Sequence, residues 1–271
     1  MDNRPIGVFD SGLGGLTAVK KLSQLLPGED IVYFGDTGRV PYGSRSRETI
    51  IKYTRQDIAF LCSFNIKAVI AACGTVSTTS LDDVAGDFPI PCFGVARAAA
   101  VKAASVTKNG KIGLIGTTAS IKSGKYEELI HACDPKAEVI GRACPLFVPL
   151  VENGRIDKGD AVIETVAREY LLPLREAGVD TLILGCTHYP IIAGIIGEIM
   201  GGGVTLVDPG AECAQFLAQK LAESDGLSEK SDGGRCAYYV SDSTEGFSRL
   251  ASLFLESDIN GDVKQISLDS F

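Results

Sequence analysis

Residues 67–75 read Lys67-Ala68-Val69-Ile70-Ala71-Ala72-Cys73-Gly74-Thr75, and residues 180–188 read Asp180-Thr181-Leu182-Ile183-Leu184-Gly185-Cys186-Thr187-His188. Both are short apolar runs that lead into a cysteine and then a threonine, a pattern typical of buried parallel strands. Ligands of open α/β sheets bind at the carboxyl ends of such strands. The pattern therefore predicts two strand-end thiols, and their separation of 113 residues assigns each thiol to its own half of the protein.

The composition is that of an acidic globular protein. Its 271 residues suffice for one large domain or two of ordinary size, and a hydrophobic content of 45% can bury a substantial core. A net charge of −8 argues against general nucleic-acid binding. No signal peptide and no apolar run of about 18 residues is visible, so we expect a cytoplasmic protein without membrane contact.

The eight cysteines show no pairing motif. None belongs to a Cys-x-x-Cys pair, so we expect no zinc or other metal. Most are interpreted as buried, inert thiols. Only Cys73 and Cys186 are interpreted as lying in a turn after a strand, beside small polar residues.

Strand and helix patterns alternate along the whole chain and begin again halfway. The segment from Lys111 to Thr118 resembles the opening segment from Arg4 to Ser11. The similarity of these two segments predicts an internal duplication, although repeated βα units alone could produce a similar pattern. An edge strand at Arg235–Val240 and a closing helix at Glu245–Leu255 have no second repeat to join, so we expect them to pack on the first unit.

The predicted fold class follows from this organisation. We expect two pseudo-symmetric, doubly wound α/β domains whose mainly parallel sheets face each other across a central cleft. The first domain comprises residues 1–96 and 208–271, and the second comprises residues 97–207.

Two facing thiols suit a reaction that removes a proton from one side of a carbon and returns one to the other side. A thiol has a pKa of about 8.5 unless its surroundings shift it, so a catalytic thiolate needs polar neighbours. His188 lies two residues after Cys186 and is a candidate for proton transfer, although a lone histidine is more often structural. Asp10 and Asp36 also follow predicted strands, with helix capping as the alternative role.

Two loops suggest ligand contacts of other kinds. The turn from Gly12 to Thr17 is close to a dinucleotide fingerprint, with Asp36 as the acid some twenty residues on, but Thr17 occupies the third glycine position. The loop Pro41-Tyr42-Gly43 could present backbone amides to a carboxylate, or it could be an ordinary turn.

These residues together resemble the glutamate racemases, within the cofactor-independent aspartate/glutamate racemase superfamily. The resemblance covers nearly the whole chain, apart from its weakly matched carboxyl-terminal fifth. It rests on residues 8–16, 33–37 and 41–43, on Ala72-Cys73, on Gly113–Ser120, on residues 149–154 and on Gly185-Cys186-Thr187-His188-Tyr189-Pro190.

The resemblance implies interconversion of L- and D-glutamate for peptidoglycan synthesis, without pyridoxal phosphate, any other cofactor or a metal. It implies that Cys73 acts on the D-isomer with help from Asp10, and that Cys186 acts on the L-isomer with help from His188 and Glu152. Asp36 is a further catalytic candidate. Many members are homodimers. The implied substrate contacts are Asp10, Ser11, Tyr42, Gly43, Gly74, Thr75, Thr117, Ser120, Thr187 and His188.

One departure from the family pattern concerns Gly74, because members usually have Asn there. The contact of the asparagine amide to the substrate is therefore absent. Either the backbone of Gly74 or a water replaces it, or glutamate binds more weakly. The alternatives to glutamate racemisation are an aspartate or other amino-acid racemase of the same superfamily, a dinucleotide-binding oxidoreductase, and an inactive amino-acid-binding homologue.

Overall fold

The computed structural model describes residues 1–231, 233–245, 247–256, 259, 263–269 and 271. Strands and helices alternate along this part of the chain. The strands are β1 (Ile6–Asp10), β2 (Ile31–Gly35), β3 (Ala68–Ala71), β4 (Cys92–Gly94), β5 (Lys111–Gly116), β6 (Glu138–Ala143), β7 (Thr181–Gly185), β8 (Thr205–Val207), β9 (Cys236–Val240) and β10 (Val263–Gln265). The α-helices are α1 (Leu16–Leu25), α2 (Arg47–Cys62), α3 (Gly74–Thr79), α4 (Leu81–Val84), α5 (Val95–Val106), α6 (Thr118–Lys122), α7 (Lys125–Cys133), α8 (Phe147–Glu152), α9 (Ala161–Glu176), α10 (Ala193–Met200), α11 (Pro209–Glu223) and α12 (Phe247–Leu255).

The described strands form two separate sheets. The larger sheet has the order β10-β9-β2-β1-β3-β4, and the smaller sheet has the order β6-β5-β7-β8. Every pair of neighbouring strands in both sheets is parallel. The central strands β1, β3 and β7 are buried, as expected for parallel strands covered by helices on both faces.

The two sheets repeat one topology. In the larger sheet β2, β1, β3 and β4 are neighbours in that order, and β6, β5, β7 and β8 follow the same order in the smaller sheet. Cys73 follows β3 and Cys186 follows β7, so each cysteine comes after the third strand of its own set. The predicted fold class is thereby confirmed, and the matching strand order supports the duplication.

One hydrophobic core joins the two sheets. A single cluster of buried side chains includes Leu16 and Leu22 of α1 together with Leu182 and Leu184 of β7. Helix α11 packs against both α1 and α5, which connects the two halves on one side. The two halves are therefore held together along the base of the cleft between them.

The carboxyl-terminal elements return to the first half, as expected. Strand β9 pairs with β2, and α12 packs against α1. The edge position predicted for β9 is wrong, because the short strand β10 pairs with its other side. Gly246, which the predicted helix Glu245–Leu255 included, lies outside the described residues.

The division into residues 1–96 plus 208–271 and residues 97–207 stays a prediction. The strands follow it, since the larger sheet uses only residues before 97 or after 207 and the smaller sheet only those between. Helix α5 crosses the first boundary, because it starts at Val95 beside the larger sheet and ends at Val106 beside the smaller one.

Candidate active site

A cavity of about 430 Å³ lies where the carboxyl ends of the two sheets meet. Both predicted thiols reach it, together with most of the other predicted site residues. The predicted residues that line it are Ser11, Tyr42, Gly43, Cys73, Gly74, Thr75, Thr117, Glu152, Cys186, Thr187 and His188. Residues that are far apart in the chain therefore meet in one pocket of a size suited to a small molecule.

Cys73 is buried directly before α3, and among the described residues its side-chain hydrogen-bond partner is Ser11. Its Sγ lies 3.3 Å from the hydroxyl of Ser11. Burial and the nearby charge of Asp10 raise the pKa of Cys73 to about 12, although Ser11 and the backbone N–H of Val76 oppose this shift. At neutral pH this sulfur is therefore a thiol, which is the form that can donate a proton.

Cys186 has an ionisable neighbour. Its Sγ lies 3.9 Å from Nδ1 of His188, and Nε2 of the same ring lies 3.0 Å from the carboxylate of Glu152. Burial lowers the pKa of His188, but Cys186 and Glu152 outweigh burial and raise this pKa to about 10. A protonated imidazole at this position places a positive charge beside the sulfur of Cys186. Phe254 of α12 also packs edge-on against the imidazole ring of His188.

Asp10 lies behind the cavity wall and does not line the cavity. Its carboxylate accepts hydrogen bonds from the backbone N–H of Gly12 at 2.9 Å and from the hydroxyl of Thr187 at 3.4 Å. Burial raises the pKa of Asp10. Asp10 acts on Cys73 through its charge, and it ties the first half of the molecule to Thr187 of the second half.

Asp36, a catalytic candidate of the sequence, does not line the cavity. It is fully buried, and its carboxylate accepts hydrogen bonds from Arg39 at 2.5 Å, from Ser241 at 2.7 Å and from the hydroxyl of Tyr42. Asp57, which no sequence pattern indicated, accepts a second hydrogen bond from the hydroxyl of Tyr42 at 3.0 Å. Asp36 and Asp57 therefore hold the tyrosine whose loop lines the cavity.

Ser120 also lies behind the cavity rather than on its wall. Its hydroxyl accepts a hydrogen bond from Thr117 at 3.0 Å, and its backbone N–H donates to the same threonine. Thr117 in turn lies 3.0 Å from the hydroxyl of Thr75 on the opposite wall. Ser120 thus positions Thr117, and the pair Thr75–Thr117 spans the cleft.

A third cysteine reaches the cavity and was not predicted. Cys144 directly follows β6, lines the cavity and donates its S–H to the carbonyl of Arg142 at 3.6 Å. Cys144 thus also follows a strand, but its sequence neighbours Ala143 and Pro145 are not the small polar residues that distinguished Cys73 and Cys186. The strand before Cys144 contains Glu138 and Arg142 and lies at a sheet edge, so it lacks the apolar run that marked the other two.

The glycines of the turn after β1 pack closely against other parts of the protein. A Cβ added to Gly14 would lie 2.7 Å from Nδ1 of His188, and one added to Gly15 would lie 2.6 Å from Cβ of Asp10. These glycines allow close packing of the protein on itself. The resemblance of this turn to a dinucleotide fingerprint thus has a packing explanation.

Among the described residues, no group of three or more His, Cys, Asp or Glu side chains is arranged to hold a metal ion. In the same part of the chain, every helix is too short or too polar to span a bilayer.

The duplicated α/β fold with a thiol after the matching strand of each half is that of an isomerase. Residues 6–217 match the family Asp/Glu/Hydantoin racemase, and the chain belongs to this family.

Individual relatives match over almost their full length. A glutamate racemase of Geobacter metallireducens is 46% identical over 98% of both chains. The crystal structure of glutamate racemase from Francisella tularensis in complex with D-glutamate is 39% identical, covers 100% of both chains and superposes with a TM-score of 0.92. A glutamate racemase isoform of Bacillus anthracis is 35% identical, covers 99% of both chains and gives a TM-score of 0.94.

Proposed function

We propose that this protein is an isomerase that interconverts L- and D-glutamate and supplies D-glutamate for peptidoglycan synthesis. The observation that carries the proposal is the placement of Cys73 and Cys186 in one cavity, after matching strands of two repeated sheets. The full-length similarity to glutamate racemases supports glutamate as the substrate.

The reaction uses one thiolate and one thiol. Cys186, as thiolate beside a protonated His188, removes the α-proton of L-glutamate, and the electron pair of the broken C–H bond moves into the α-carboxylate. Cys73, as thiol, then donates its proton to the opposite face of the carbon. The product is D-glutamate, and the two sulfurs have exchanged protonation states, which is the form that acts on D-glutamate.

Polar groups on both walls bind the substrate. Ser11, Thr75 and Thr187 offer hydroxyls, and the backbone amides of Tyr42 and Gly43 offer donors to a carboxylate. Thr117, held by Ser120, completes the set from the second wall. Asp10, His188 and Glu152 set the charge of the two thiols and act with them.

The decisive experiment is circular dichroism of L-glutamate and of D-glutamate incubated with dialysed, chelator-treated protein. We expect the signal of either isomer to decay to zero at an undiminished rate without any additive. A requirement for pyridoxal phosphate or a metal would contradict the two-thiol mechanism.

Three measurements separate glutamate racemisation from the alternative functions. Faster racemisation of aspartate than of glutamate would assign the chain to the aspartate branch. Binding of glutamate without turnover would indicate an inactive homologue, and a change in NADH fluorescence on mixing would indicate an oxidoreductase. We place the reaction in the cytoplasm, and sedimentation of the purified protein tests the homodimer that we propose.

A further inference from the structure

Three glycines of the first half lie where the two halves touch around the cavity. A Cβ on Gly14 would meet the side chains of Thr187 and His188, and a Cβ on Gly43 would meet the side chain of Thr117 at 3.2 Å. Side chains can rotate away from such a contact. Gly74 differs from both, because it faces the backbone of the second half.

The space at Gly74 is closed by the end of β7. A Cβ built on Gly74 would come far inside 3.0 Å of the carbonyl oxygen of Gly185, a separation that real Cβ atoms do not show. It would also lie 3.3 Å from the carbonyl carbon of Gly185 and 3.9 Å from Cα of Cys186. Any other residue at position 74 would push this strand end back by roughly half an ångström, because close-packed backbone cannot yield locally.

This contact is adjacent in sequence to both thiols. Cys73 directly precedes Gly74, and Cys186 directly follows Gly185. The two strand ends therefore touch at the residues next to the reactive sulfurs. The neighbouring bridge between Thr75 and Thr117, at 3.0 Å, spans the same part of the cleft.

We propose that Gly74 is a positioning residue that lets the two thiol-bearing strand ends meet backbone to backbone. The inference rests on the proposed racemisation, because it concerns the separation of the two sulfurs across the substrate. The absence of a side chain at Gly74 does not leave an empty position beside the substrate in this chain. The backbone of Gly185 occupies the space that a side chain would need. A side chain at position 74 would widen the cleft.

The test compares Gly74→Ala and Gly74→Asn with a matched control, Gly116→Ala. Gly116 pairs with Gly185 in the smaller sheet, and a Cβ there would make ordinary contacts at 3.5 Å with Ile121 and Ser120 and at 3.7 Å with the carbonyl oxygen of Gly185. We expect Gly74→Ala to lower kcat for racemisation by about ten- to a hundredfold, since misplacement on the scale of 1 Å can cost about a hundredfold. Gly74→Asn should fall as far, because the clash begins at Cβ, and Gly116→Ala should keep wild-type kcat.

A second readout separates positioning from general damage. Elimination of HCl from 3-chloroglutamate needs one thiolate: the α-proton moves to sulfur, the Cα–H electron pair forms the Cα–Cβ double bond, and chloride leaves. Racemisation needs both sulfurs at the right distance. We expect elimination by Gly74→Ala to stay within about threefold of wild type while racemisation falls.

Three outcomes would overturn the inference. One is wild-type racemisation by Gly74→Ala. Another is a lower KM with undiminished kcat in Gly74→Asn, which would show that the glycine had cost a substrate contact. The third is a crystal structure of the wild-type protein with D-glutamate in which a Cβ built on Gly74 clears the carbonyl oxygen of Gly185 by more than 3.4 Å, and this measurement does not depend on whether any variant folds. If the wild-type protein racemises neither isomer of glutamate, the proposed function fails first, and it fails independently of the variants.

Discussion

The two thiols occupy equivalent places in two similar sheets, yet their neighbours differ in kind. Cys73 contacts one hydroxyl, has a carboxylate close by, and has a pKa raised to about 12 by burial and by that charge. Cys186 contacts an imidazole that a carboxylate holds from its other side. Duplication of the fold thus places a sulfur on each side of the cavity, and the two sulfurs have different polar neighbours.

In the proposed mechanism this asymmetry matches the L-to-D reaction. Cys73, whose pKa is raised, supplies the acid, and Cys186 beside the cationic His188 supplies the base. The proposed D-to-L reaction starts from the exchanged state, in which Asp10 stands beside an ionised Cys73. Variants that change one side at a time should therefore affect the two halves of the reaction differently.

The largest effect is expected from Cys73→Ser and Cys186→Ser. A hydroxyl keeps the shape of the side chain but is a far poorer base, so each change should reduce racemisation by about a thousandfold or more. Each variant should still eliminate HCl from one enantiomer of 3-chloroglutamate, where a single base suffices. Cys186→Ser retains the sulfur assigned to the D-isomer, and Cys73→Ser retains the one assigned to the L-isomer.

The comparison between the two enantiomers is the decisive measurement for these variants. Opposite preferences would support the assignment of one thiol to each face. If both variants preferred the same enantiomer, the assignment would be wrong even if racemisation were lost in both. Far-ultraviolet circular dichroism of each variant serves as the control for folding.

A smaller effect is expected from Asp10→Asn. Removing the carboxylate charge should lower the pKa of Cys73 towards its ordinary value, although burial still raises it. A shift of one unit corresponds to about 1.4 kcal/mol and about a tenfold change in the thiolate fraction at a fixed pH. In the Cys186→Ser background, iodoacetamide should then modify Cys73 about ten times faster at pH 8.

Mass spectrometry of the peptide that contains Cys73 measures this rate separately from that of exposed thiols such as Cys133. We also expect racemisation of D-glutamate by Asp10→Asn to fall, since a thiolate at Cys73 with a lower pKa is a weaker base towards the α-proton. An unchanged alkylation profile would show that the charge of Asp10 does not reach the sulfur.

The sequence determined which strands carry the thiols, because an apolar run that ends in a cysteine is a local signal. The fold class followed from the alternation of such runs, and the full-length similarity to glutamate racemases agrees with the motifs that indicated the family. The roles of individual site residues stay predictions. The sequence does not predict which neighbours a side chain contacts. Asp36 is hydrogen-bonded to Arg39 and Tyr42, and Ser120 is hydrogen-bonded to Thr117.

Two other features depend on packing between distant segments. Cys144 was overlooked because its strand lies at a sheet edge and contains charged residues. The sequence presents Gly74 as the loss of an asparagine contact to the substrate, whereas the structure shows the backbone of Gly185 in the space of that side chain. The contact between Gly74 and Gly185 joins residues more than a hundred positions apart, and no local pattern encodes it.

The smallest effect is expected from Glu152→Gln on the Cys186 side. His188 has a pKa raised from about 6.5 to about 10, so its protonation contributes stability that is fully present below pH 6.5 and is lost as the pH rises through 10. Glu152 is one source of this raised pKa, but its side chain is 41% exposed and solvent weakens the interaction. In Glu152→Gln the free energy of unfolding should fall by about 0.2–1 kcal/mol, as for other solvent-exposed ion pairs.

Urea unfolding at pH 6 should therefore show the full difference in this free energy between wild type and Glu152→Gln, and the difference should disappear above pH 10. The rate of L-to-D conversion at neutral pH should fall by no more than about fivefold, since 1 kcal/mol corresponds to that factor. A difference in stability that persisted unchanged above pH 10 would show that Glu152 acts through packing and not through the charge of His188.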